Sequence, residues 1–195
     1  MNIELITTLI ESKEKDSFYK LIDMANDKNL QPDIFNLLSE HPNNLIKEAL
    51  AGNPNITNQA ALNLAKDINI KVKFKLALNL NVTNKAALIL ARDISKDIKF
   101  ALSINPNINE NVMVILAKDE DWQVRAFLTL NPNITDEIKK NLEDDKIFKV
   151  RELIKKDGIS KKTNLQIYNF LVSNLAVPQS ISTHINACNK FIDSL

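Results

Sequence analysis

The chain has a single cysteine, Cys188, in 195 residues. That excludes an intrachain disulfide and any cysteine-rich zinc or iron–sulfur site. Glycine is almost as scarce, with only Gly52 and Gly158, so there is no glycine-rich phosphate loop. The two histidines, His41 and His184, lie far apart, and no metal-ligand spacing joins them. Charge of one sign is missing too: 25 Lys and Arg nearly cancel 24 Asp and Glu, leaving +1. Such a balance argues against broad capture of nucleic acid or anionic membrane, though not against a local patch. No stretch approaches the roughly 20 apolar residues of a membrane span. The opening MNIELITTLIESKEK has an early Glu4 and no basic start, and does not read as a signal peptide. With 45% apolar residues, the expectation is a soluble, cytoplasmic, folded protein with a real core.

What is present is repetition. NPNIT at 53–57 returns letter for letter at 131–135, with NLNVT at 79–83 and NPNIN at 105–109 between them. Asn53, Asn79, Asn105 and Asn131 are each 26 residues apart, and the register extends to Asp27 and Asp157. Ile46, Val72, Ile98, Val124 and Val150 keep the same step, as do Leu50, Leu76, Leu102, Leu128 and Ile154. Leu62, Leu88 and Val114, and Leu64, Leu90 and Leu116, continue it. A fixed period of this length marks a repeat architecture.

Each unit reads as two helices. Thr57, Thr83, Asn109 and Thr135 hold an N-cap position, and Ala61, Leu62 and Ala65 form a helical stripe behind the first of them. The second segment, IKVKFKLAL at 70–78, alternates like a strand. Its copies DIKFALSI and WQVRAFLTL keep the i, i+4 pair and lose the alternation, so it reads as a helix of about two turns with room for 3₁₀ character. At the corner, Asn tolerates the left-handed position after a helix, and Pro54, Pro106 and Pro132 forbid continuation. The expected organisation is an N-terminal helical cap over 1–26, an array over 27–157 and a C-terminal helical cap over 158–195. Leu21, Ile22 and Ala25 are the apolar residues of the first cap, and Ile181, Ile185, Cys188, Ile192 and Leu195 those of the second.

The run D-x-x-W-Q-V-R-x-x-L-x-x-N-P at 119–132 resembles the leucine-rich repeat variant (LRV) family. Echoes at 67–73 (DINIKVK) and 93–99 (DISKDIK) extend the resemblance over roughly residues 27–157. HEAT-type repeats share the Asp…Val-Arg logic and are the near alternative. The resemblance implies an all-α, right-handed superhelix, or solenoid, of alternating α- and 3₁₀-helices without sheet. The 26-residue period is longer than the family's usual unit. The cysteine-rich iron–sulfur segment beside some LRV arrays has no counterpart, so no cluster carries over.

Two charged columns share the register. Lys47, Lys73, Lys99, Arg125 and Arg151 form a basic one, and Asp67, Asp93, Asp119 and Asp145 precede it by six residues. Such columns would form ladders that pair with each other within and between units, or the basic one could track phosphates. Lys155, Lys156, Lys161 and Lys162 form a second basic concentration, read as a solvated edge. Trp122 shares its column with Phe18, Asn44, Ile70, Lys96 and Phe148, which places it at the rim of the core and makes it the candidate partner contact. Cys188, on an apolar helix face, reads as a buried inert thiol. The carboxylates at 143–145 read as capping or solvated residues, and the Asn-x-Thr sequons as corners of the repeat. No catalytic set, cofactor or metal site is expected. The chain reads as a non-catalytic module or scaffold of about five units that binds another protein. A nucleic-acid-associated protein using the basic column is the alternative, and a helical-repeat enzyme acting on nucleic acid a more distant one.

Overall fold

We describe the computed structural model of the chain over residues 3–12, 14–155, 165–170 and 181–194. Asp157, Gly158, Lys156, Lys161 and Lys162 of the sequence reading lie outside the described residues. So do the side chains of Ile181, His184, Ile192 and Leu195. The helices are α1 (Ile3–Glu11), α2 (Lys15–Asn26), α3 (Pro32–Ser39), α4 (Asn44–Ala51), α5 (Asn58–Ala65), α6 (Ile70–Ala77) and α7 (Asn84–Leu90). They continue as α8 (Lys96–Ser103), α9 (Glu110–Leu116), α10 (Trp122–Thr129), α11 (Asp136–Glu143) and α12 (Phe148–Lys155), then α13 (165–170) and α14 (Ile181–Ser194). Among the described residues there is no strand.

Helices of equal parity stack on one another. α2, α4, α6, α8, α10 and α12 form one row, and α3, α5, α7 and α9 another, while α3 meets α4, α5 meets α6, and so on along the chain. That is the contact order of a helical repeat. We call the odd helix of each pair A and the even one B. Helix A buries Ala60, Ala61, Leu64 and Ala65 in α5, with Leu62 only half-buried and its counterpart Val114 exposed. Helix B buries Val72 and Leu76, Ile98 and Leu102, Val124 and Leu128, four residues apart as a 3.6-residue helix requires. Thr57, Thr83 and Asn109 accept the capping bond from the N–H of Ala60, Ala86 and Val112. Thr135 does not cap, and its hydroxyl is buried without a partner among the described residues.

One expectation about the corners is corrected, and the asparagines gain a second role. The B helices are α-helical throughout, and tight i→i−3 bonds are confined to their ends, as in Asn53 N–H to the Leu50 carbonyl at 3.0 Å. The asparagines are there for their side chains. Asn105 Nδ2 donates to the Ala77 carbonyl at 2.8 Å and the Asn79 carbonyl at 2.9 Å, both in the preceding unit. Its Oδ1 accepts from the Asn107 N–H at 2.9 Å. Asn53, Asn79 and Asn131 repeat the pattern, and all four side chains are buried. Ala51, Ala77 and Ser103 end their B helices, so the amide satisfies an end carbonyl that lacks an intrahelical donor. The second asparagine of each corner reaches back as well: Asn55, Asn81, Asn107 and Asn133 donate to the carbonyls of Lys28, Pro54, Leu80 and Pro106. Ile56, Val82, Ile108 and Ile134 then tuck into the core.

The described part of the C-terminal region does not simply close the end of the array. Tyr168 Oη donates to the Leu78 carbonyl at 2.8 Å, and α14 packs against α8. Ile167, Ile185 and Cys188 are buried in the common core. A second apolar stripe marks the middle B helices. Phe74 and Leu78, Phe100 and Ile104, Ala126 and Leu130 sit about 200° around the helix from the shared stripe, by the 100° step of an α-helix. The flanking helices carry Glu48, Gly52 and Glu152 there instead. All six apolar residues are buried, and Phe100 meets Phe127 edge-to-face at 4.1 Å. Gly52, at φ −84°, makes no conformational demand for glycine, and a Cβ there would meet only the flexible end of Lys75, Cε at 2.8 Å.

Leu102 has neighbours on both sides and no exposure. Leu102→Ala should lower stability by about 2–5 kcal/mol as a core truncation. Asn105→Ala should cost about 1–3 kcal/mol for each carbonyl left buried without a donor. Urea unfolding measures both, and a parent-like midpoint in either variant refutes the corresponding packing.

Candidate interaction surface

The turn from helix A to helix B carries the acidic column, and helix B the basic one. In each turn an aspartate Oδ1 accepts a backbone N–H two residues on: Asp67 from Asn69, Asp93 from Ser95, Asp119 from Asp121 and Asp145 from Ile147. The other oxygen, Oδ2, takes a cation from the preceding unit. Lys47 Nζ lies 2.5 Å from Asp67, Lys73 2.6 Å from Asp93 and Lys99 2.6 Å from Asp119. Arg125 is bidentate on Asp145, with Nε at 2.6 Å and Nη2 at 3.0 Å. Each of these four bases therefore pairs with the acid twenty residues ahead, across the unit boundary. The acid six residues behind contributes its backbone instead: Arg125 Nη1 donates to the Asp119 and Glu120 carbonyls, and Arg151 Nη1 to that of Asp145. Side chains of the four pairs are only 5–16% exposed.

The Arg125 hydrogen bond holds the Asp145 carboxyl below the usual carboxylate range, assisted by the Ile147 N–H and opposed by burial. The ladder also has a rational beginning. Leu21 stands in the basic column before Lys47, so the preceding unit offers no cation to the place of the next aspartate, which is His41. Neutral His41 keeps the turn's acceptor, Nδ1 taking the Asn43 N–H at 2.9 Å. Burial and the neighbouring Lys47 push its pKa below the ordinary histidine value.

With both flanking residues tied down, the middle residue of the turn points outward. Ile68 and Ile94, equivalent residues of consecutive units, are 98% and 99% exposed. Ile94 borders a groove of about 500 Å³ that is also lined by Lys66, Lys73, Leu88, Ile89 and Arg92, among others. Trp122, on the same edge, is half-buried and packs against the core, as a rim residue should. Phe148, in its column, is 69% exposed and the more open of the two. The sequence reading passed over Ile68, Ile94 and the exposed basic row Lys66, Arg92 and Lys118. Their signal was the same 26-residue step, at positions no helical stripe explains.

For chemistry the described residues offer little. Burial raises the Cys188 thiol to about 12, which leaves almost no thiolate near neutrality. Among the described residues no three His, Cys, Asp or Glu side chains gather as a metal site, and no helix is long and apolar enough to cross a membrane. No family model, curated protein or solved structure matches the chain.

A double-mutant cycle tests the ladder. Arg125→Ala should be destabilising, and adding Asp145→Ala should recover part of the loss, with a coupling of about 0.5–3 kcal/mol that exceeds the coupling to Asp119→Ala. Because Asp145's folded pKa is depressed, its contribution is present above the ordinary carboxylate value. It should disappear as pH falls through the lower folded one, and the acid limb should shrink in Arg125→Ala.

His41 titrates with the same sign. Its folded pKa lies below its unfolded value, so the unfolded chain binds the extra proton first and stability should fall as pH drops below about 6.5. Urea midpoints at pH 5.5 and 7.5 should differ less in His41→Gln than in the parent. An unchanged difference rules out His41 as the source.

Proposed function

We propose that the chain is a non-catalytic, LRV-like binding module. In this reading it is a right-handed solenoid of about five 26-residue units that works in the cytoplasm and docks another protein on the edge formed by its A-to-B turns. The observation that carries this reading is the near-complete exposure of Ile68 and Ile94 at equivalent turns, with a groove beside Ile94. A lone exposed apolar residue is ordinary, but two in register across adjoining units offer a partner a continuous apolar contact. The ladder supports the protein reading over the nucleic-acid alternative, because Lys47, Lys73, Lys99 and Arg125 each face a carboxylate within 2.6 Å. Phosphates would have to displace those partners.

An Ile68→Ser/Ile94→Ser double variant tests the docking edge. Exposed substitutions of this kind should change stability by no more than about 0.5 kcal/mol each. Immobilised parent should retain a protein from nuclease-treated lysate of the native host, and the variant should lose it. Retention of nothing, or of the same protein by both, overturns the proposal.

A further inference from the structure

Lys66, Arg92 and Lys118 form a second basic row, 26 residues apart and exposed, whereas the first row is closed inside ion pairs. Each stands at the end of a helix A, where a cation is favoured by the helix dipole, and Arg92 Nη1 donates to the Leu88 carbonyl at 2.9 Å. That accounts for the sign of the charge but not for the isoleucines two residues beyond Lys66 and Arg92; beyond Lys118 the same position is the exposed Glu120. Each aspartate next in sequence is already held by a cation of the preceding unit. Three cations, Lys66, Lys73 and Arg92, line the groove against one carboxylate, Asp93, which lies 2.6 Å from Lys73. The row is bounded by Glu40 before it and Asp144 after it.

Resting on the docking reading above, we infer that this edge binds an extended acidic segment of a partner protein in which carboxylates alternate with apolar side chains. Carboxylates meet Lys66, Arg92 and Lys118, with the guanidinium able to present a fork to one of them. Apolar side chains meet Ile68, Ile94 and the Leu88 wall of the groove. Packed helices repeat every 8–10 Å or so, and an extended chain advances about 3.3 Å per residue. Acidic residues three apart therefore keep step with successive units. Among the described lining residues there is no aromatic ring on which a base could stack, so a peptide fits the groove better than a single-stranded nucleic acid.

The probe is a fluorescein-labelled peptide of four Glu-Leu-Ser repeats, followed by anisotropy against the full chain, with four Lys-Leu-Ser repeats and a single-stranded oligodeoxynucleotide as comparisons. The acidic peptide should bind saturably at low salt and weaken as salt rises. Binding should fall about tenfold or more, the equivalent of about 1.4 kcal/mol, in Lys66→Gln/Arg92→Gln and again in Ile68→Ser/Ile94→Ser. The Lys-Leu-Ser peptide should not bind. No saturable binding, or binding indifferent to both double variants, overturns the inference. So does tighter binding of the oligonucleotide that Lys66→Gln/Arg92→Gln abolishes. If the peptide fails while a captured protein still depends on Ile68 and Ile94, only the acidic chemistry falls. If both fail, the docking edge falls with it.

Discussion

The asparagine at each corner is the constraint on which the rest of the array depends. A helix end that is packed against a neighbour exposes carbonyls to a place water cannot reach, and leaving one unpaired costs about 1–3 kcal/mol. Asn79 answers this for the unit before it, donating to the Ala51 and Asn53 carbonyls at 2.8 Å each while its Oδ1 closes its own turn. The Asn53 carbonyl also receives the Ile56 N–H, so both of its acceptor sites are used. A glycine could form the turn but not the bonds. An aspartate could close the turn but has no N–H to give.

That second case occurs where it is tolerated. Asp27, at the head of the register, accepts from the Asn29 N–H at 2.9 Å and so retains the turn-closing half of the role. The ionic ladder is edited the same way. Leu21 supplies no cation, and the following acceptor is neutral His41 instead of a carboxylate. Burying one charge without the other would be unfavourable, so at its head the ladder drops the cation and the carboxylate together. Both devices act between one unit and the next, which is how a stack of short helices keeps a single register.

The period, the helical pairs and the shared stripe of the B helices were legible in the sequence, because each leaves an apolar or capping residue every 26 positions. The Leu62, Leu88 and Val114 column, by contrast, is not core. The rim position of Trp122 was legible because its column also takes Lys96. The asparagine's role was not, since turn preference and side-chain donation select the same letter. The direction of the ion pairs was hidden for a related reason: a column six residues behind and one twenty ahead belong to the same 26-residue repeat. The return of α13 and α14 onto the middle of the array goes with Phe74, Phe100 and Ala126 lying between Glu48 and Glu152. That signal is a departure from the repeat, and a search for what recurs passes over it. Ile68 and Ile94 were missed because apolar residues were assigned to the core by default.

Once those duties are assigned, the faces of a unit differ in what they leave free. The corner side is occupied by amides already donating to the previous unit. The outer stripe of the middle B helices is covered by the chain's own C-terminal helices, and the ladder beneath the A-to-B turns is neutralised pair by pair. Neutralising the ladder shapes the surface above it. Asp67 and Asp93 would otherwise cancel the field of Lys66 and Arg92 next to them, but Lys47 and Lys73 hold those carboxylates at 2.5 and 2.6 Å. The exposed cations then set the sign of the edge, and the same side-chain bonds fix the turn so that Ile68 and Ile94 face water. The interaction that holds one unit to the next thus also gives the edge its charge and its apolar contacts.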